Sequence, residues 1–172
     1  FSADMVDNWE VGLKGTFGGS HQYTIAVFQM DWQDPQARII GAYSGVEGVG
    51  TSTADARSQG VELELSGRFG ERWNYALGYS YTDAEFVEDG TLYINEVEDG
   101  DTLPGHSQHM ASGSLTYSVP LGDNLLQFNV NGFYRSSFEN GLLGSLQEYQ
   151  LDSYSMFDAS VAYATEAWTV RL

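Results

Sequence analysis

Residues 57–86 read RSQGVELELSGRFGERWNYALGYSYTDAEF. Val61, Leu63, Leu65, Gly67 and Phe69 alternate with Glu62, Glu64, Ser66 and Arg68. After the short turn at Gly70-Glu71, Trp73, Tyr75, Leu77, Tyr79 and Tyr81 alternate with Asn74, Ala76, Gly78, Ser80 and Thr82. A strict period of two places one set of side chains on each face of a strand, so the stretch is an antiparallel hairpin with an apolar face and a polar face. What decides the fold class is whether the apolar face meets a protein core or lipid.

The same pattern recurs outward from this hairpin. Eight strands are expected near 8–17, 21–32, 57–69, 72–86, 109–120, 124–136, 154–164 and 167–172. Short turns at Gly18-Gly19-Ser20, Gly70-Glu71, Leu121-Gly122-Asp123 and Thr165-Glu166 alternate with long connections at 33–56, 87–108 and 137–153. Connections longer than about 12–15 residues are uncommon in compact domains. Short turns at one end and long loops at the other are the pattern of an outer-membrane barrel. Aromatic residues on the apolar parity flank every short turn: Phe17 and Tyr23, Phe69 and Trp73, Tyr117 and Phe128, Tyr163 and Trp168. A second set, Trp9, Tyr81, Tyr134 and Phe157, shares that parity farther along the strands. Interfacial Trp and Tyr belts of this kind mark the two surfaces of a membrane. The other face is mostly Ser, Thr, Asn, Gly and Ala, which suits a crowded lumen. The expected fold is therefore an all-β, antiparallel transmembrane β-barrel, of which about eight strands lie in this chain. A soluble antiparallel sandwich shows the same alternation.

Composition narrows the partners. Seven basic against 24 acidic residues give a net charge of −17, which repels nucleic acid phosphates. Cysteine is absent, and no apolar run reaches the roughly 18–20 residues of a membrane helix. A hydropathy scan is blind to membrane strands, whose signal per segment is weak. The chain opens on Phe1 and is still alternating at AWTVRL, so both ends read as cut and the chain as a piece of a larger barrel.

Several segments, taken in order, resemble TonB-dependent outer-membrane receptors: DNWEVGLKGTF (7–17), YTIAVFQMDWQD (23–34), ADARSQGVELELSGRF (54–69), WNYALGYSYTDAEF (73–86), LPGHSQHMASGSLTYSVPLG (103–122) and YSMFDASVAYATEAWTVRL (154–172). Ser107 departs from the pattern, where that family often has proline. The resemblance implies that residues 1–172 are the C-terminal portion of a barrel of about 22 strands, with the plug domain and final strand absent. It implies ligand-gated uptake across a Gram-negative outer membrane, energised through the TonB complex, which acts on the plug. Ferric siderophore is the commonest cargo of such receptors. The alternatives are a self-contained eight-stranded outer-membrane barrel with a structural or adhesive role, and a soluble sugar-binding β-sandwich. Outer-membrane lipid is an expected partner; nucleic acid is not.

No catalytic constellation is present, no G-x-S-x-G elbow included, and no cofactor or resident metal is expected. His106 and His109 lack an obvious third ligand for zinc. Glu96-Val97-Glu98-Asp99-Gly100-Asp101 lacks the spacing of an EF-hand calcium loop. Ligand contact is expected instead from Tyr43, Tyr93, His106, Phe138, Tyr149 and Tyr154, in or beside the long loops, where rings can stack on a cargo. By parity Glu62, Glu64, Arg68, Arg135 and Asp158 point into the lumen, where charges need water or partners.

Overall fold

The computed structural model describes residues 3–40, 47–92, 95–140 and 149–172. Eight strands form one antiparallel sheet: β1 (Met5–Phe17), β2 (His21–Gln33), β5 (Ala56–Phe69), β6 (Trp73–Phe86), β9 (His109–Leu121), β10 (Asn124–Arg135), β13 (Tyr154–Ala164) and β14 (Thr169–Arg171), in that order. Each expected strand is present, with ends moved by a few residues. The long connections also contain strands that were not expected: β3 (Gln36–Ile40) with β4 (Glu47–Thr51), β7 (Gly90–Leu92) with β8 (Asn95–Val97), and β11 (Phe138–Asn140) with β12 (Tyr149–Leu151). Each pair is an antiparallel ribbon that extends a hairpin beyond the main sheet.

The register carries the apolar face without a break. Val11, Val27, Val61 and Tyr81 stand in one transverse row, and Leu13, Ile25, Leu63 and Tyr79 in the next. Tyr75, Leu115 and Val130 continue the same face into β10. No second sheet covers it among the described residues. Val11 is 68% exposed, Leu13 60% and Leu77 52%. A soluble sheet does not leave a contiguous apolar face this large in water, so this face meets lipid. The sandwich alternative fails because no facing sheet is there. The self-contained eight-stranded barrel fails as well, because β1 and β14 stand at opposite ends of an open sheet and do not pair.

Three of the short turns rely on glycine in the left-handed region, at Gly18-Gly19, Gly70 and Gly122, where a side chain is strained. Pro120 sits in β9 but below the start of β6. The last β6 contact on that side is the Ser118 amide on the Arg72 carbonyl, so the missing N–H of Pro120 breaks no ladder bond there.

Both aromatic girdles drift diagonally across the register. Traced along the rows to β5, Trp9 falls level with Gln59, Tyr81 with Val61, Tyr134 with Leu63 and Phe157 with Leu65. From β1 to β13 the upper girdle descends by about 20 Å along the strands over about 29 Å across them, using ~3.3 Å per residue and ~4.8 Å per strand. A level membrane surface therefore cuts strands inclined by about 35°, within the range of outer-membrane barrels. The lower girdle drifts the same way: Phe17 is level with Gly67, Tyr117 and Phe128 with Phe69, and Tyr163 lies one row pair lower.

Above the upper girdle the two faces exchange character. On the lipid side, Gln29, Gln59 and Asp83 share a row, as do Asp31, Arg57 and Glu85. Arg57 Nε donates to Asp31 Oδ1 at 2.7 Å. Asp31 lies outside the membrane-spanning part, and the Gln29 amide and then Arg57 hold its carboxyl below the usual range. On the opposite side Ala54, Ala56, Phe86 and Val97 are buried, with Trp32 and Leu103 packed against them. The strands thus leave the membrane, and their inner face becomes a small water-soluble core that seats the loops.

Candidate functional site

The polar face forms the lumen wall. Glu62, Ser80, Met110, Arg135 and Tyr154 share one row across five strands, and Glu64, Gly78, Ser112, Phe133 and Met156 the next. Small residues at Gly78, Ser80 and Ser112 leave an open trough of about 270 Å³ between Glu62 and Glu64 on one side and Met110 and Phe133 on the other. A second trough of about 540 Å³ continues it past Ser66, Ala76, Ser114 and Asn131. A groove of about 610 Å³ lies on the lipid face between Leu65, Tyr75, Leu115, Val130 and Phe157. Its apolar lining and outward position suit acyl chains rather than a water-borne cargo.

The most organised part of the wall surrounds Arg135, the last residue of β10. Its Nε donates to Ser107 Oγ at 3.0 Å, and that hydroxyl donates to the Ser136 carbonyl at 2.9 Å. The guanidinium carbon lies 3.9 Å from the Phe138 ring centroid and 5.9 Å from that of Tyr154. Tyr154 is itself 6.0 Å from Phe133, centroid to centroid. Cation–π contacts at such distances contribute about 0.5–2 kcal/mol each, depending on desolvation.

Ser107 reaches this position because segment 101–108 is stitched between two hairpins. The Leu103 amide donates to the Ala84 carbonyl, the Thr82 amide to Gln108, and the Gly105 amide to Glu139 at 2.7 Å. Ser107 is buried, at 4% exposure, with both hydrogen-bond roles filled. The proline common in the resembled family has no hydroxyl to hold Arg135.

Of the expected ligand residues, Phe138 and Tyr154 therefore come together, and Arg135 joins them. His106 stands one residue from Ser107. Its Nδ1 donates to the Leu103 carbonyl at 2.6 Å, and its Nε2 is buried without a partner among the described residues. Tyr149 belongs to β12, opposite Asn140. Tyr43 and Tyr93 lie outside the described residues. Asp158 Oδ1 accepts from Asn131 at 2.7 Å. Glu62 and Glu64 flank the trough, and Arg68 lies in a lower row with Asn74. Among the described residues no ion pair links any of these five lumen charges, the one such pair being Arg57–Asp31.

Two histidines play parts that single-strand parity left open. His109 opens β9 on the lipid face, hydrogen-bonded through Nδ1 to the Tyr79 hydroxyl at 2.9 Å and 5.2 Å from the Tyr81 ring. His106 instead bonds the Leu103 carbonyl, and among the described residues no group of three or more potential metal ligands forms. His21 sits in the lower girdle, stacked on Phe17 at 5.0 Å and bonded to the Tyr75 hydroxyl at 2.8 Å. In the acidic run, carboxylates tie the turn: Asp101 accepts from the Glu98 amide and Asp89 from the Asp99 amide.

A sheet with an aliphatic belt between aromatic girdles, a polar inner wall and every long loop at one end is the wall of an outer-membrane β-barrel. The chain belongs to the family described as TonB dependent receptor-like, beta-barrel, whose model matches residues 3–172. The probable TonB-dependent siderophore receptor PiuA of Acinetobacter baumannii is 28% identical over 123 residues, 67% of this chain and 16% of that protein. The ferric-pyoverdine BN7/BN8 receptor of Pseudomonas putida is 34% identical over 88 residues, 51% of this chain and 10% of that protein. The crystal structure of the siderophore receptor PiuA from Acinetobacter baumannii superposes with a TM-score of 0.67 at 22% identity, covering 92% of this chain and 22% of that one. This chain thus spans a small part of the length of these relatives. The family is one of transporters and receptors, not of enzymes, and its members reside in the outer membrane of Gram-negative bacteria.

Proposed function

We propose that residues 1–172 form a C-terminal stretch of the barrel wall of a receptor that takes up a ferric siderophore across the outer membrane, energised through TonB. The carrying observation is the Arg135, Ser107, Phe138 and Tyr154 cluster, a fixed cation among rings on the lumen face near the loop end. Siderophore receptors among the relatives support the choice of cargo. The lumen wall binds; the plug domain, as the resemblance implies, gates and couples to TonB. The test is uptake of radioactive iron, supplied as defined chelates, by cells lacking the full-length gene and by the same cells complemented with it. TonB-dependent accumulation restored by the gene is the expected result. Equal accumulation with and without it, for every chelate class, refutes the reading.

A further inference from the structure

The first two long connections meet above the membrane and share one interior. Phe86 and Ala54 are wholly buried, Ala56 and Val97 almost so, and Trp32 and Leu103 pack against them. Trp32, Ala54 and Ala56 come from the hairpin of β2 and β5; Phe86, Val97 and Leu103 come from that of β6 and β9. Neither hairpin closes this core alone. Apolar surface divided between two segments joins them into one cooperative unit, because opening either one exposes both to water.

Hydrogen bonds run along the same seam. The Thr53 amide donates to the Thr91 carbonyl at 2.8 Å, and the Val87 amide to the Asp55 carbonyl at 2.9 Å. In return the Thr91 amide donates to Thr53 Oγ1 at 3.0 Å, and the Asp55 amide to Glu88 Oε1 at 3.1 Å. The returning limb of the second connection is laid back along β6, with the Phe86 amide on the Asp101 carbonyl and the Leu103 amide on the Ala84 carbonyl. Gly90 stands at the centre of the seam. A Cβ there would lie 2.8 Å from the Ala54 Cβ and 2.9 Å from the Ala54 amide nitrogen. Gly90 is not in the left-handed region, so what glycine supplies at this position is close approach between two backbones rather than a turn.

From this seam we propose that the first two long connections are a single rigid body, locked at Gly90, that stays joined as the receptor works. A contact made by cargo on one connection is carried to the other, with no separate movement of either. The joint is complete without cargo, so it holds whatever the chelate.

The experiment is amide hydrogen exchange of the purified full-length receptor in detergent, read by mass spectrometry. In the wild type, peptides spanning 52–56, 86–91 and 101–104 should show protection within about threefold of one another, as amides released by one shared opening do. Gly90→Val overpacks the seam and should lower protection in all three by about ten- to a hundredfold, with β9 and β10 unchanged. Thr53→Val removes the acceptor of the Thr91 amide without that bulk, and should give the same pattern at smaller size. The hydroxyls of Thr53 and Thr91 lie 3.3 Å apart. A cysteine pair at these two positions, once oxidised, should leave protection within about threefold of the wild type, because the joint it bridges does not open by itself. Heat-modifiable gel mobility establishes that each variant is folded. Three outcomes overturn the proposal: wild-type protection that differs between 52–56 and 86–91 by more than that margin, a Gly90→Val loss confined to its own connection, or a cysteine bridge that raises protection beyond it.

Discussion

Leu77 and Ala76 are adjacent in β6 and point to opposite faces, so arginine at each separates lipid from lumen. Leu77 is four residues from Trp73 in the lower girdle and four from Tyr81 in the upper. Four residues span about 13 Å along a strand, and at an inclination of about 35° that is about 11 Å along the membrane normal. Leu77 therefore lies at the midplane of a band roughly 22 Å thick. Arginine there should destabilise the folded receptor by about 2–4 kcal/mol, whereas Trp73→Arg at the interface should cost at most about 1 kcal/mol. Ala76→Arg enters the trough beside Glu64, Ser66 and Ser114, where water and a carboxylate receive it, and should cost under about 1 kcal/mol. The assay is urea unfolding of the full-length receptor in phospholipid vesicles, read by tryptophan emission. A cost for Ala76→Arg equal to or above that for Leu77→Arg would invert the two faces and refute the assignment.

At Gly60 an added Cβ meets the Tyr81 carbonyl oxygen as well as the Phe28 ring, whereas at Gly78 it meets the movable Ser112 hydroxyl alone. Gly60→Ala is therefore expected to destabilise by about 1–3 kcal/mol and Gly78→Ala by less, measured by the same unfolding titration; equal costs would contradict the packing of Phe28 over Gly60. Brominated lipids give a depth reading: Trp73 should be quenched most by bromines near the head group, and maximal quenching by mid-chain bromines would displace the lower girdle. Arg57→Gln removes an exposed pair above the membrane and should cost less than about 1 kcal/mol, with the difference shrinking as salt rises. A cost of several kcal/mol would mean that the pair is shielded from water.

The seven long strands of the main sheet, from 11 to 14 residues each, were legible because lipid on one side and water on the other impose period two over ten residues or more. The three ribbons in the connections were not. Segments of three to five residues such as Gly90–Leu92 or Glu47–Thr51 are too short for a period and carry glycine and acidic residues that read as loop. Parity put Glu62, Arg135 and Asp158 on one face, and the register keeps them on one side of the sheet, yet parity along one strand is silent about which residue stands opposite. The Arg135 cluster depends on Ser107, 28 positions away, and on the rows that bring Met110, Phe133 and Met156 beside it. That Ser107 departs from the pattern of the resembled family was visible in the sequence, but what its hydroxyl does needed the hydrogen bond. His21 and His109 were missed for a related reason: imidazole scores as polar, whereas here each ring fills an aromatic slot and offers its nitrogen to a tyrosine.

The diagonal of the girdles has a consequence for how such walls can be recombined. Because Trp9, Tyr81, Tyr134 and Phe157 hold one height while the rows climb past them, each hairpin carries its aromatic residues at an offset suited to its own place in the sequence of strands. A hairpin duplicated or transplanted a few strands away would keep its ladder bonds and still present its aromatics several ångströms too high or too low. Exchange between related walls should therefore succeed between equivalent positions and fail between displaced ones, even where pairing and turn lengths match.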